Sequence, residues 1–260
     1  MPTETTVRPG ETKQQYTARQ RQAMIEETNT RKDNLASGKT MVTMDVDDFG
    51  FLLPGFDDLK RLKESLPGLK VTCFTIPMDN AFFHSGNAKH FKWASYEKWA
   101  RIVNESGWIE IATHGFAHVP NECSLDYDKA MTLITATEKL FERVGLRYTK
   151  LFKAPYWQYS YDFLVALRDK GYTIAIDRNH LRPVPPESKA YVYNWSFEEP
   201  IPFAPTIRGH GHFTGRNLNN ISTSLHNICK QLPATARFGF VSEYLKDHDD
   251  APLVMRQFQK

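Results

Sequence analysis

A chain of 260 residues with 41% hydrophobic and 24% charged side chains can bury one large core and is too apolar to be disordered. Its 33 Lys and Arg are interspersed with 30 Asp and Glu for a formal charge of +3, so no nucleic-acid partner is expected. Three scattered cysteines (Cys73, Cys123, Cys229) exclude a disulfide scaffold. Without a signal-peptide core in residues 1–40 or an apolar run near the roughly 20 residues of a membrane span, the expectation is a soluble protein, cytoplasmic as synthesised, with no membrane partner.

Residues 1–36 are polar and carry little to bury, although Thr12–Thr30 has helical character. They read as an arm, mobile or packed on a partner, and as a route to homo-oligomers. Residues 37–260 form the second unit. Met41–Val46 reads as a strand, Pro54–Leu66 as a helix and Lys70–Ile76 as an apolar strand. Tyr96–Ser106 follows as a helix stopped by Gly107, then Ile109–Thr113 as a strand, and Tyr127–Val144 as a long helix stopped by Gly145. The alternation continues through Leu151–Ala154 (strand), Ser160–Lys170 (helix), Tyr172–Ile176, Ala190–Trp195 and Pro205–His210 (strands), Leu218–Leu232 (helix), Phe238–Val241 (strand) and a terminal helix from Ser242. Strands alternating with helices imply parallel βαβ units. Seven or eight of them in about 220 residues give an α/β fold, a distorted or incomplete (β/α)7–8 barrel with parallel strands.

In such barrels chemistry sits at the C-terminal ends of strands. After the first strand comes Asp45-Val46-Asp47-Asp48-Phe49-Gly50, three acids whose repulsion needs a cation or a proton to offset it. After Ile109–Thr113 comes His114-Gly115-Phe116-Ala117-His118, a pair four apart that shares a face when the backbone is helical or tightly turned. Lys153-Ala154-Pro155-Tyr156-Trp157 and Arg208-Gly209-His210-Gly211-His212 follow two further strands. Two imidazoles and one carboxylate make a three-ligand site with positions left for water and substrate, the arrangement of a catalytic metal rather than a structural one. Asp47 can accept a proton there, and a histidine across the site can donate one.

The order of these motifs resembles the polysaccharide deacetylases, carbohydrate esterase family four, with the NodB-homology fold. Its T-F-D-D-G, H-S/T-x-x-H, R-x-P-Y and L-x-H motifs have counterparts in Val46–Gly50, His114–His118, Lys153–Tyr156 and Ile207 to His210 or His212. Gly107–Ile111 and Lys170-Gly171-Tyr172 resemble the flanking runs, and the similarity spans residues 40–246. The resemblance implies a hydrolase acting on C–N bonds other than peptide bonds. Asp47 is its general base. Asp48, His114 and His118 hold one divalent ion, Zn2+ first with Co2+, Ni2+ or Mn2+ as alternatives. It also implies that Tyr156 helps polarise the acetyl oxygen through its backbone N–H, that Lys153 stands where an arginine orients the base, and that His210 or His212 is the general acid, His210 favoured as closer to the strand end. Asp177 is a loose match for the group orienting that histidine. The substrate implied is an acetylated amino sugar or its polymer. Another small amide, or carbohydrate binding without turnover, are the alternatives.

Three departures stand out: Phe49 inserted before the first motif's glycine, Gly115 in place of Ser or Thr, and Lys153 in place of a bidentate arginine. Trp157 and Trp195 follow strand ends and can stack on a sugar or pack in the core. His84 and His90 read as loop histidines; His180, His226 and His248 read as lacking partners.

Overall fold

A computed structural model describes residues 7–53, 55–85, 87–202, 204–212 and 228–256. The polar arm forms helix α1 (Lys13–Ala36), opened by a capping box in which Thr12 and Gln15 satisfy each other's backbone N–H groups. Of this helix only Leu35 is buried. The alternating elements follow as β1 (Met41–Phe49), α2 (Phe56–Ser65), β2 (Val71–Thr75), α3 (Asn80–His84), α4 (Trp93–Ser106), β3 (Ile109–Thr113), α5 (Tyr127–Arg143), β4 (Leu151–Phe152), α6 (Tyr161–Asp169), β5 (Thr173–Ile176), β6 (Lys189–Val192), β7 (Trp195–Ser196), β8 (Thr206–His212) and β9 (Arg237–Gly239). Short helices Val241–Tyr244 and Ala251–Arg256 end the described chain. Most of the helix expected over Leu218–Leu232 lies outside the described residues. No helix among those described is long and apolar enough to cross a membrane.

All strand pairs are parallel, in the order β6-β5-β4-β3-β2-β1-β8-β7, with β9 paired to the first three residues of β1. The strand expected over Ala190–Trp195 is two pieces separated by Tyr193 and Asn194. Its first piece pairs with β5 and its second with β8, so one extended segment joins the two ends of the sheet and curls it into a distorted barrel. Arg208 braces that junction, donating to the Val192 carbonyl and to Tyr244 Oη.

Side chains alternate across this sheet as the strand period of two requires. Val42, Met44 and Val46 of β1, with Val71 and Cys73 of β2, join the cluster shared with Leu59, Leu62, Tyr96 and Val103 of the helices. Phe74, Ala112, Ala175 and Tyr191 form a separate cluster on the opposite, interior face. Asp45 and Asp47 share the inward phase of β1 with Thr43, and this phase delivers them to the barrel's C-terminal mouth.

Candidate metal centre

The acidic run would normally alternate, turning Asp47 inward and Asp48 outward. The pairing register shows why it does not: Val46 pairs with Cys73 and Phe49 with Thr75, three steps on β1 against two on β2. This bulge absorbs the extra residue, Phe49, whose ring packs against Phe56 and Trp99. Asp48 sits at φ 58°, a left-handed conformation that is uncommon for a non-glycine residue, and its carboxylate is buried beside that of Asp47.

Beyond β3 the histidine segment is a tight loop rather than a helix. Gly115 has φ +68° and His118 φ 58°. A β-carbon on Gly115 would meet the Pro155 ring at 2.7 Å, and the Glu122 carboxylate is closer still, so Ser or Thr cannot stand there. Glu122 fastens the loop by accepting the backbone N–H groups of Phe116 (2.9 Å), Ala117 (2.6 Å) and His118 (3.0 Å). Sequence reasoning passed over Glu122; a carboxylate four residues past an HxxxH pair was its only signal. Glu122→Ala leaves those three N–H groups without an acceptor. Zinc affinity should fall by about 10- to 100-fold, the range seen when groups orienting metal ligands are removed, as a competition titration with a chromogenic chelator will show.

The loop brings His118 Nε2 to 3.0 Å and His114 Nε2 to 3.7 Å from Asp48 Oδ1. Three donors each about 2.1 Å from a tetrahedral ion stand roughly 3.4 Å apart, so the spacing fits one zinc-sized cation. The proton arrangement at His114 points the same way. Burial pulls its pKa down to about 4, against the opposing pull of Asp47 and Asp48, so the ring is neutral. Its Nδ1 lies 2.9 Å from the Lys153 carbonyl, which can only accept, so the hydrogen belongs on Nδ1. Nε2 then presents a lone pair to Asp48 Oδ1 and, at 3.9 Å, to Asp47 Oδ2. Asp48 Oδ1 is itself buried without a well-aligned hydrogen bond. A buried carboxylate and two imidazole nitrogens converging at these spacings suit a cation among them.

Behind the carboxylates lies Lys153, 1% exposed, which donates to Asp45 Oδ1 and, at 2.8 Å, to Asp47 Oδ1. Burial opposes ionisation of Asp45 and Asp47, but the Lys153 ammonium and His210 outweigh it and hold both carboxyls below the usual range. Asp48 is also held low, burial being overcome by His118 and His114. Three carboxylates against one ammonium leave two negative charges, which one divalent ion offsets.

Asp45 also receives Tyr191 Oη at 3.1 Å and lies 2.7 Å from His210 Nδ1. It takes the place expected of Asp177, which instead binds His180 Nδ1 at 2.6 Å and Tyr193 Oη at 2.8 Å. The period of two in Asp45-Val46-Asp47 carried that signal. His180 is thus partnered, contrary to expectation, as is His248, which stacks on Tyr244. His226 lies outside the described residues, and His84 ends the short helix α3.

β8 runs on to His212, so distance from the strand end does not separate the two histidines of that motif. His210 is buried, and His212 lines the cavity of about 240 Å3 with Asp47, Asp48, His114, His118, Tyr156 and Trp157. Tyr156 and Trp157 both adopt left-handed backbone angles, and the Tyr156 ring lies 5.0 Å from that of His118. Trp195, by contrast, is fully buried against Phe197 and belongs to the core, so it is not a sugar-stacking surface. The glycines flanking His210 are required by these two rings. A β-carbon on Gly209 would meet Phe197 at 2.6 Å and Trp195 at 2.7 Å, and one on Gly211 would strike Phe197 more closely. Gly211→Ala should cost about 1–3 kcal/mol by overpacking and lower the calorimetric melting midpoint by several degrees.

No protein-family model matches the chain, and the search of curated proteins finds no relative. Solved structures match in fold. The Bc1960 peptidoglycan N-acetylglucosamine deacetylase in complex with 4-naphthalen-1-yl-N-oxidanyl-benzamide has a TM-score of 0.51 at 17% identity, over 83% of this chain and 95% of that one. A Mycobacterium smegmatis protein assigned as a polysaccharide deacetylase gives 0.52 at 13%, over 84% and 92%. The 4-alpha-glucanotransferase of Thermococcus litoralis gives 0.56 at 13%, over 80% of this chain but 40% of its own length. The chain has the fold of the polysaccharide deacetylases. Since a glucanotransferase shares that barrel, the chemistry has to be argued from the site.

Proposed function

We propose that this chain, which has the polysaccharide deacetylase fold, is a metal-dependent hydrolase that removes N-acetyl groups from an acetylated amino sugar or its polymer, with Asp48, His114 and His118 holding the ion. The observation that carries this is the convergence of His118 Nε2 and His114 Nε2, at 3.0 and 3.7 Å, on Asp48 Oδ1, with His114 Nδ1 held 2.9 Å from the Lys153 carbonyl. Zinc suits two imidazoles and a carboxylate, with cobalt, nickel or manganese as alternatives. When bound, a divalent ion lowers the pKa of water toward about 7 and polarises an acyl oxygen.

Asp47 is the proton acceptor. Its Oδ1 is held by Lys153 and its Oδ2 faces the imidazoles of His114, His210 and His212. An ammonium is a point charge, so Lys153 fixes Asp47 through one bond shared with Asp45, not through a bidentate fork. His212, on the cavity wall, donates a proton to the departing amine, while His210 stands behind it between Asp45 and the Tyr193 ring at 4.6 Å. The backbone N–H of Tyr156 polarises the acyl oxygen, and the Tyr156 and Trp157 rings wall the sugar.

Acetate release from chitooligosaccharides and peptidoglycan fragments tests this. Release that stops on chelation and returns with zinc is expected. Amine or ammonia from small amides without acetate would assign the same site to another C–N bond, and no metal-dependent hydrolysis of either kind would leave carbohydrate binding alone.

A further inference from the structure

One carboxylate oxygen is faced by more imidazoles than a proton acceptor requires. Asp47 Oδ2 lies 3.9 Å from His114 Nε2, 3.8 Å from His210 Nε2 and 3.7 Å from His212 Nε2. All three separations are too long for direct hydrogen bonds. His114 belongs to the first triad. The other two, with Asp47, form a second group whose ligating atoms lie within 4.8 Å of one another. At His210, Nδ1 lies 2.7 Å from Asp45 Oδ1 and 3.1 Å from the Lys153 ammonium, contacts that fix the ring with Nε2 facing Asp47 Oδ2. Neighbouring carboxylates, Asp47 and Asp48, thus each head a triad with two imidazoles.

We propose that Asp47, His210 and His212 form a second, weaker site for an imidazole-seeking divalent cation, and that filling it silences the hydrolase by tying up its proton acceptor and proton donor. The site is weaker for three reasons. Asp47 Oδ1 is already committed to the Lys153 ammonium at 2.8 Å. A second dication would lie beside both that ammonium and the first ion, where like charges repel. His212 is 51% exposed at its side chain among the described residues and must be ordered to ligate, whereas His114 and His118 are buried. The nitrogen donors select zinc, copper or nickel over magnesium and calcium. The inhibition rests on the function proposed above; the binding does not.

Zinc alone is the probe, titrated calorimetrically into the metal-free full chain. The expected isotherm has two classes, one tight equivalent and a second at least tenfold weaker. His212→Ala should keep the tight equivalent and lose the weak one, with an unchanged melting midpoint in the metal-free state, and His118→Ala should lose the tight one. Acetate release should rise to one equivalent of zinc and fall as the second class fills. A single equivalent in the unmodified protein, or a weak class that persists in His212→Ala and so belongs to surface histidines, overturns the second site and leaves the proposed function standing. Absence of the tight class as well removes the function.

Discussion

Asp47→Asn should still bind zinc and should lose two to four orders of magnitude in kcat, the usual contribution of a positioned general base. Asparagine has the same shape, and its oxygen can go on accepting from Lys153, whose ammonium remains paired with Asp45. The ligands Asp48, His114 and His118 are untouched, so zinc affinity should stay within a few-fold. What is lost is the capacity to take a proton at Oδ2, the oxygen facing the cavity histidines. Steady-state kinetics and a zinc titration on the same preparation check both halves. Turnover within tenfold of the unmodified protein would remove Asp47 from the reaction.

The second large effect is on Asp48, whose loss should remove both turnover and the stabilisation that zinc confers. Without an ion, Asp48 Oδ1 lies 3.0 Å from His118 Nε2 and 3.7 Å from His114 Nε2, and these imidazoles hold its carboxyl below the usual range. Asn tolerates the left-handed backbone at this position and removes the charge. Asp48→Asn gives up that attraction while keeping the shape, so metal-free stability should fall modestly, by about 0.5–1.5 kcal/mol. The same change deletes the anionic ligand, so acetate release should fall on the order of 10^3-fold with zinc at micromolar levels. Saturating zinc should stabilise the unmodified protein by about 4 kcal/mol at a thousand times its dissociation constant and the variant far less. Denaturation curves with and without zinc read all of this. A variant that saturating zinc stabilises as much as its parent would remove Asp48 from the ligand set.

The barrel was legible because hydrophobic period and glycine stops are local signals. Met41, Ile109, Tyr127 and Thr113 mark element ends on which the sequence and the coordinates agree. Boundaries failed where partners, not propensity, set them. Tyr193 and Asn194 break the expected strand because its two halves pair with different neighbours. At the site, the convergence of the acidic run, the histidine loop and Lys153 followed from their positions at strand ends. The contacts of Lys153 with Asp47 followed from a family resemblance alone. The bulge that turns Asp48 inward, the Glu122 clasp and the use of Asp45 in place of Asp177 depend on register and on distant loops, which a single sequence does not encode visibly. Trp195 was ambiguous for a similar reason. Its ring fills the core because the fold packs it against Phe197 and against Gly209, which lies apart from it in the sequence.

The most direct measurement is X-ray diffraction from zinc-loaded crystals at the zinc absorption edge, collected at one equivalent of metal. The expected result is one anomalous peak about 2.0–2.2 Å from a carboxylate oxygen of Asp48 and from the Nε2 atoms of His114 and His118. A peak bonded elsewhere, or none between those three side chains in fully loaded protein, would contradict the assignment of this cluster as the metal centre.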